Sequence, residues 1–403
     1  MSSPAARRLQ RLRDQLTLYP PRPASAEEAS QEHSNLTTSW RTLTSTDIVL
    51  GATFNNSRDG VATGSAVRSR HIAVETVLEA FRWGLSLDTA PLYRDSEEII
   101  GEAIAHSAAE GAAPDLLSAH VWTKVGLRTA LGAVGHGSAT AEAARQSLAE
   151  SVERLGLVGA AGGLRFHDIA GGDLPTTDDL IDAAVAPGGM IDGLRSLRDE
   201  GAIREVSLGM NANGARPGSA ARPDGMPGAC VPNTEPSQIL RLIRLSPPGT
   251  FDSALISGGW NLLNQDAYEV FVECEARGIA VHNAGVFAGG MIVGGTPTER
   301  MPYTITPEVE DKVKQWQALA EEFEVPLVAL ALRFAALPAI VSKLVIGFVS
   351  PDEVKTTMTY LRDGKRIPSM LFDKAKSTGL IRKDIALPPW GDEDLWLEEE
   401  SSA

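Results

Sequence analysis

The stretch L-D-T-A-P-L-Y-R-D-S-E-E-I-I-G, residues 87–101, joins the end of an apolar run to the start of a helix. The run Trp83–Leu87 stops at an acid, Asp88, and a phenol follows on the next loop at Tyr93. Asp95 is placed to cap a helix, and Glu98, three residues later, to reach back to its free amides. Ile99, Ile100, Ala103 and Ile104 then recur at helical spacing. An acid at the carboxyl end of a strand and a phenol on the following loop sit at the edge of an α/β sheet where chemistry is placed.

Outward from that stretch the pattern alternates. Strands are expected at 48–54, 85–87, 120–125, 163–166, 203–208, 251–256, 279–284 and 344–347. Helices are expected at 70–83, 95–109, 140–155, 188–200, 235–245, 265–277, 307–323 and 326–336, with a last one from Pro351. Eight strand-then-helix units predict an α/β fold of the (β/α)8 TIM-barrel type. A doubly wound sheet competes, but the first strand is followed by L-G-A-T-F-N-N, which is not the Gly-rich dinucleotide fingerprint. The expected organisation is a tail over 1–44, a catalytic barrel over 45–365, and a C-terminal extension over 366–403 packing on or near it. Residues 211–236 are rich in Gly, Pro and Ala without periodicity, and read as a long insertion over the active-site face.

The 403-residue chain is 43% hydrophobic and 22% charged, ordinary for a globular protein with ample core. Its formal net charge of −15 argues against a nucleic-acid or anionic-membrane surface. Two cysteines, Cys230 and Cys274, build no disulfide framework and suit a reducing, cytoplasmic setting. No apolar run reaches the length of a bilayer span. The basic start M-S-S-P-A-A-R-R-L-Q-R-L-R faintly resembles a transit peptide, but Glu27, Glu28 and Glu32 and prolines 20, 21 and 23 follow.

Three polar groups stand at successive strand ends: Asp88, Lys124 in V-W-T-K-V-G, and His167 in G-L-R-F-H-D. Singly, each reads as a turn residue, a solvated cation or a structural imidazole. Together, on one barrel edge with Tyr93, they converge. A phenol with an ordinary pKa near 10 exchanges protons poorly at neutral pH; a neighbouring ammonium favours its phenolate, and a buried carboxylate holds the ammonium. The imidazole adds a hydrogen bond to a substrate oxygen. Such a set suits carbonyl–alcohol interconversion beside a hydride carrier. No ligand spacing marks a metal site, His167 and Asp168 included, and no serine nucleophile elbow occurs.

With these residues in place, the chain resembles the aldo-keto reductases. The resemblance rests on D-T-A-x-x-Y with the downstream S-E-x-x-x-G (Asp88, Tyr93, Ser96, Glu97, Gly101), T-K-V-G, R-F-H-D, G-A-I-R-E-V-S-L-G-M-N ending at Asn211, L-A-L-R-F-A, and V-I-G-F-V-S-P-D-E-V. It covers residues 46–365. It implies a (β/α)8 barrel that binds NAD(P) across its C-terminal face without a Rossmann motif, and a catalytic tetrad of Asp88, Tyr93 (acid/base), Lys124 and His167. G-M-N, G-G-W-N-L-L and A-G-V-F-A-G-G are most similar to the D-threo-aldose (L-fucose type) 1-dehydrogenases. By that resemblance the substrate is a small sugar such as L-fucose, D-arabinose or L-galactose, oxidised at C1 to its lactone.

The same resemblance assigns the nicotinamide carboxamide to Asn211. It places further cofactor contacts at Trp260, Phe287, Gly289, Gly290, Gly347, Phe348, Ser350 and Glu353. Substrate contacts are expected from Phe54, Asn55 and Trp122. The pattern is broken where relatives carry Asn-Ser and this chain has Ala288 and Gly289, and where Arg94 replaces the glycine that commonly follows the tyrosine. NADP-preferring members carry basic residues near the last helix start. Here stand Phe348, Asp352 and Glu353, so NAD is expected over NADP, although Ser350, Pro351 and Glu353 also make sense as a helix cap. Two alternatives stay open: a general NAD(P)H-dependent aldehyde/ketone reductase, and a non-catalytic cofactor-sensing protein like the potassium-channel β subunits that resemble this family.

Overall fold

The computed structural model describes residues 44–53, 69–125, 139–167, 169, 176–212, 234–294, 307–362 and 367–386. Eight parallel strands close into a barrel in sequence order, the eighth pairing with the first. They are β1 (Ile48–Gly51), β2 (Ser86–Asp88), β3 (Val121–Val125), β4 (Ala161–His167), β5 (Ile203–Asn211), β6 (Ser253–Ser257), β7 (Ala280–Ala284) and β8 (Val341–Ile346). The helices are α1 (Arg70–Arg82), α2 (Ser96–Ala109), α3 (Pro114–Ser118), α4 (Ala141–Leu155), α5 (Thr177–Val185), α6 (Met190–Asp199), α7 (Pro236–Leu245), α8 (Tyr268–Ala276), α9 (Pro307–Glu322), α10 (Leu327–Ala335), α11 (Pro351–Arg362) and α12 (Ser369–Ser377).

The expected alternation of elements is what is found, with α3 and α5 added within it and α12 after it. Both additions are short: α5 starts where Thr176 accepts a hydrogen bond from the amide of Asp179, and α3 opens on a first-turn proline. The main apolar core lies between strands and helices, while Val49, Leu255, Ala284 and Val345 form a separate small cluster. These four come from β1, β6, β7 and β8 at alternate strand positions, so they fill one side of the barrel interior. The remaining interior is polar, with groups from β2, β3, β4 and β5 and with His282 and Lys343 from β7 and β8.

Residues 367–386 pack against the barrel. Phe372 on α12 stacks on Phe334 of α10, and Arg382 donates to the backbone carbonyl of Gln265 and to the carboxylate of Glu269. Residues 213–233 of the Gly-rich stretch 211–236 and the tail before Thr44 lie outside the described residues, as do Phe54 and Asn55.

The segment from which the fold was read is fastened differently from the sequence expectation. Asp95 has φ −92° and ψ 17°, not the extended backbone of a side-chain cap, and makes no cap bond; its carboxylate lies 3.7 Å from Arg70 instead. Glu98 Oε2 is buried with no hydrogen-bond partner among the described residues. Ser96 and Glu97 anchor the helix. Ser96 Oγ donates to the carbonyl of Ala52 (2.6 Å), and Glu97 accepts from Thr123 Oγ1 (2.6 Å) and Arg154 Nε (2.6 Å). Gly101 lets α2 close on α4, since a Cβ there would stand 2.7 Å from the carbonyl oxygen of Arg154.

That contact is backbone against side chain, with nothing flexible to give way. Gly101→Ala is expected to destabilise the fold by about 1–3 kcal/mol, read as a lower urea midpoint at unchanged slope. A midpoint equal to the wild type would show that α2 and α4 are less tightly pressed than described.

Candidate active site

In a parallel strand alternate residues face the barrel interior. Asp88 ends β2, Lys124 is next to last in β3, and His167 ends β4, so all three reach the inside at the same rim. Lys124 Nζ donates to Asp88 Oδ2 and to the carbonyl of Thr89 (2.8 Å). The same ammonium lies 4.6 Å from the centroid of the Tyr93 ring, and that ring meets His167 edge-on at 6.2 Å. All four expected groups therefore stand together, with Asp88, Lys124 and His167 buried and Tyr93 half-buried.

Tyr93 is held by the loop's own hydrogen bonds. Its amide donates to Ala90, and its carbonyl accepts from Ser96, the first residue of α2. Ser96 spends its only hydroxyl proton on Ala52, so Thr89 Oγ1 is the donor in the 2.8 Å bond between the two hydroxyls. Arg94, next in sequence, has φ 57°. This left-handed conformation suits glycine, and explains why glycine is the expected residue there.

Beneath the rim lies a layer that the sequence reading did not single out. Arg165, fully buried in β4 two residues before His167, donates from Nε to Asp88 Oδ1 (2.6 Å). Its Nη1 donates to Ser207 Oγ (2.6 Å) and its Nη2 to His282 Nδ1 (3.0 Å). Arginine has no acceptor, so Nδ1 of His282 accepts and the proton of the neutral ring is on Nε2. Burial, then the charges of Arg165 and Lys343, push His282 well below the ordinary histidine range. Glu205 accepts from Trp122 Nε1 (3.1 Å) and Ser253 Oγ (3.0 Å); burial pushes its carboxyl above the usual range, while Ser253, Arg165, Lys343 and Trp122 act the other way. Glycines open the space. A Cβ at Gly209 would press on His167 (3.3 Å) and Arg165 (3.4 Å), and one at Gly163 would sit 2.5 Å from the Trp122 indole.

Three expected contacts need correction. Trp122 is not a substrate-pocket residue: it is inside the barrel, 5% exposed, two positions below Lys124, bonded to Glu205 and edge-on to His282. Trp260 does not face a cofactor: at 1% exposure it stacks on Phe334 at 5.1 Å and donates to the carbonyl of that residue. The Phe348 side chain, 3% exposed, belongs to the apolar core, which leaves only its backbone on the rim. Trp260 and Phe348 lie in the apolar core, whereas Trp122 sits among the polar groups of the barrel interior.

The remaining cofactor candidates lie where β5, β7 and β8 end. Asn211 closes β5 half-buried, its carbonyl accepting from Thr234. After β7 the chain turns through three left-handed residues, Ala288, Gly289 and Gly290, the two glycines partly exposed and Phe287 packed against the core beside them. Ala288 stands where the resembled pattern has asparagine, the residue besides glycine that best tolerates this conformation. Gly347 is exposed, and a Cβ there would find only the Gly51 carbonyl, 3.8 Å away. Then Ser350 Oγ accepts from the Glu353 amide (3.3 Å), and Glu353 accepts from the Val349 amide (2.7 Å) at the start of α11. Side-chain-free backbone after β7 and β8 fits the phosphates of an extended dinucleotide, which need close approach to main-chain amides. Among the described residues no group of three His, Cys, Asp or Glu is placed to hold a metal ion, and no helix is long and apolar enough to cross a membrane.

A model of the aldo/keto reductase family matches residues 48–366. Among curated proteins, the chain is 29% identical over 133 residues to the pyridoxal 4-dehydrogenase of Microbacterium luteolum, covering 32% of this chain and 38% of that protein. It is 26% identical over 246 residues to a D-threo-aldose 1-dehydrogenase of a Pseudomonas species, covering 60% of this chain and 63% of that protein. Both matches thus span less than two thirds of the relative. Among solved structures, a holo-form aldo-keto reductase of Bacillus halodurans superposes with a TM-score of 0.55 at 19% identity, over 87% of this chain and 98% of that one, a likeness of fold.

His282 supplies a pH dependence of stability. Its folded-state pKa lies below the ordinary value, so stability is complete above about pH 6.5 and declines as the pH falls through that value, where the unfolded chain begins to take up the proton first. The raised carboxyl of Glu205 acts oppositely and is common to both proteins compared. His282→Gln, which keeps an acceptor for Arg165, is expected to lose less stability than wild type between pH 7 and 5 in urea unfolding. Equal losses would contradict a neutral buried imidazole.

Proposed function

The chain belongs to the aldo/keto reductase family, and from that premise we propose that it is an NAD-dependent dehydrogenase that oxidises the anomeric C1 hydroxyl of a free aldose to the lactone. The observation that carries the chemistry is the ammonium of Lys124, bonded to Asp88 and 4.6 Å from the Tyr93 ring. A cation there stabilises a phenolate, and a phenolate is the base that removing a hydroxyl proton requires.

In this reading Tyr93 takes the proton from the C1 hydroxyl as that oxygen becomes a carbonyl. Lys124 holds the negative charge on the phenolate before the transfer, and Asp88 keeps the ammonium charged and aimed. His167, edge-on to Tyr93, would hydrogen-bond the same substrate oxygen and fix its direction. The bound nicotinamide supplies the chemistry that the chain lacks, acceptance of the hydride from C1. Asn211 would hold its carboxamide, and the backbone at Gly289, Gly290 and Gly347, with Ser350, would hold its phosphates. Aldoses and pyridoxal both carry an aldehyde carbon that closes to a cyclic hemiacetal, so the substrates named for the two relatives share the functional group proposed here.

NAD is preferred to NADP in this reading. The Val349 amide at the α11 start is taken by the Glu353 carboxylate, and Asp352 stands beside it in the first turn. A 2′-phosphate approaching that helix start would meet the Glu353 carboxylate and an amide already bonded, with Asp352 beside it paired to Lys355 at 3.7 Å.

Turnover across a small panel of free aldoses, with pyridoxal and simple aldehydes alongside, tests the activity. Oxidation of L-fucose, D-arabinose or L-galactose with NAD is expected, and Tyr93→Phe should lower kcat by about 10²–10⁴-fold while cofactor still binds. A chain that only reduces aldehydes is instead a general carbonyl reductase; one whose Tyr93→Phe variant matches a negligible wild-type rate is a cofactor-sensing protein. With a competent substrate, kcat/KM is expected to favour NAD over NADP by at least about tenfold, equivalent to about 1.4 kcal/mol, and a tenfold preference for NADP would refute the cofactor assignment.

A further inference from the structure

Asp88 presents two oxygens and the structure gives each to a different cation, Lys124 on Oδ2 and Arg165 on Oδ1. We propose that Arg165 is a positioning residue of the reaction, which by sharing the Asp88 carboxylate leaves the Lys124 charge available to the Tyr93 phenolate. The inference rests on the acid–base role of Tyr93 proposed above.

A carboxylate paired with one ammonium cancels most of its field at a distance. The phenol beyond such a pair would experience a dipole, not a net charge. With Arg165 on the second oxygen, the three groups carry a net positive charge inside a barrel from which water is excluded, where charge acts over longer distances. Arg165 does not touch the site itself: it lies one layer lower, and the edge of its guanidinium away from Asp88 is held by Ser207 and His282. Those two bonds hold the guanidinium in place; what acts on Lys124 and Tyr93 is its charge on Asp88 Oδ1.

The charged and titratable groups around this assembly come from six strands. Asp88 (β2), Lys124 (β3) and His167 (β4) lie at the rim, with Tyr93 on the loop after β2. Below them, His282 (β7) bonds Arg165, and the charges of Arg165 and Lys343 (β8) act on both Glu205 (β5) and His282. His282 bonds through an acceptor nitrogen and contributes no charge. Lys343 is drawn to the opposite end of the barrel, where it donates to the carbonyl of Thr46 (2.9 Å). Among the described residues Glu205 is, besides Asp88, a carboxylate that acts on Arg165.

The test compares Arg165→Gln with Arg165→Lys in the full chain. Both shorten the side chain and lose the two-edged clamp, but only Gln loses the charge. Two readouts are taken: the pH dependence of kcat, and an ultraviolet difference titration of the Tyr93 phenol, obtained by subtracting the Tyr93→Phe protein. Arg165→Gln is expected to move both the acidic limb and the phenol titration upward by about one pH unit, and Arg165→Lys to leave them near wild type. Glu205→Gln, which keeps the size of the side chain, should move both downward, and so decides the matter should Arg165→Gln fail to fold. A kcat that falls by the same factor at every pH, a titration equally shifted in Gln and Lys, or an upward shift in Glu205→Gln overturns the proposal. The titration needs no substrate, so a wild type inactive on every sugar would sink the dehydrogenase reading and leave this one to be judged by the phenol alone.

Discussion

Neither oxygen of Asp88 is available to water: Lys124 takes one and Arg165, at 2.6 Å, the other. Burying three charges is expensive, several kcal/mol for each ion, and is tolerable only when every remaining donor and acceptor finds a partner. Here they do. The guanidinium reaches Ser207 and His282, and Lys124 reaches the carbonyl of Thr89. The residues that satisfy the charges come from β4, β5 and β7 and the turn after β2, so the site's electrostatics cannot be separated from closure of the barrel. Removing one partner would leave an unpaired buried charge, at a cost of about 3–5 kcal/mol.

Charges of this bulk need room, and the barrel makes it unevenly. Val49, Leu255, Ala284 and Val345 pack one side with apolar volume, while on the other Gly163 and Gly209 give up their side chains to Trp122, Arg165 and His167. A glycine in a strand interior weakens it, which is the cost of the space. Around the rim the same economy holds. Gly101 presses α2 onto α4, and Ser96 and Glu97 tie the start of α2 to the β1–β2 rim and to β3, so the loop that carries Tyr93 is fastened at its far end.

Most of the fold and the four groups at the rim were legible in the sequence because each carried two signals at once. Asp88, Lys124 and His167 are polar residues closing apolar runs, and the runs recur with helices between them. Arg165 had only one signal. Set between Leu164 and Phe166 in a strand, it reads as a residue turned to solvent, and only its two-residue spacing from His167 places it inside. The same parity would have placed Trp122 in the barrel with Lys124. Trp260 and Phe348 were misread because proximity in sequence to a site says nothing about the direction of a ring. Asp95 was misread because an N-cap needs extended backbone, and residue type alone does not reveal ψ.

The start of α11 shows how a structural device becomes a functional one. A helix N-terminus attracts anions because its first amides are unpaired. Glu353 turns that property inward, accepting from the Val349 amide at 2.7 Å, while Ser350 takes the Glu353 amide. The cap is explained in full by helix stability, and needs no cofactor to account for it. Yet the carboxylate that stabilises the helix also occupies the Val349 amide, while Asp352, 90% exposed beside it, lies 3.7 Å from the Lys355 ammonium. On the proposed preference for NAD, discrimination against a 2′-phosphate would need no residue kept for that purpose: the glutamate that closes the helix would supply it.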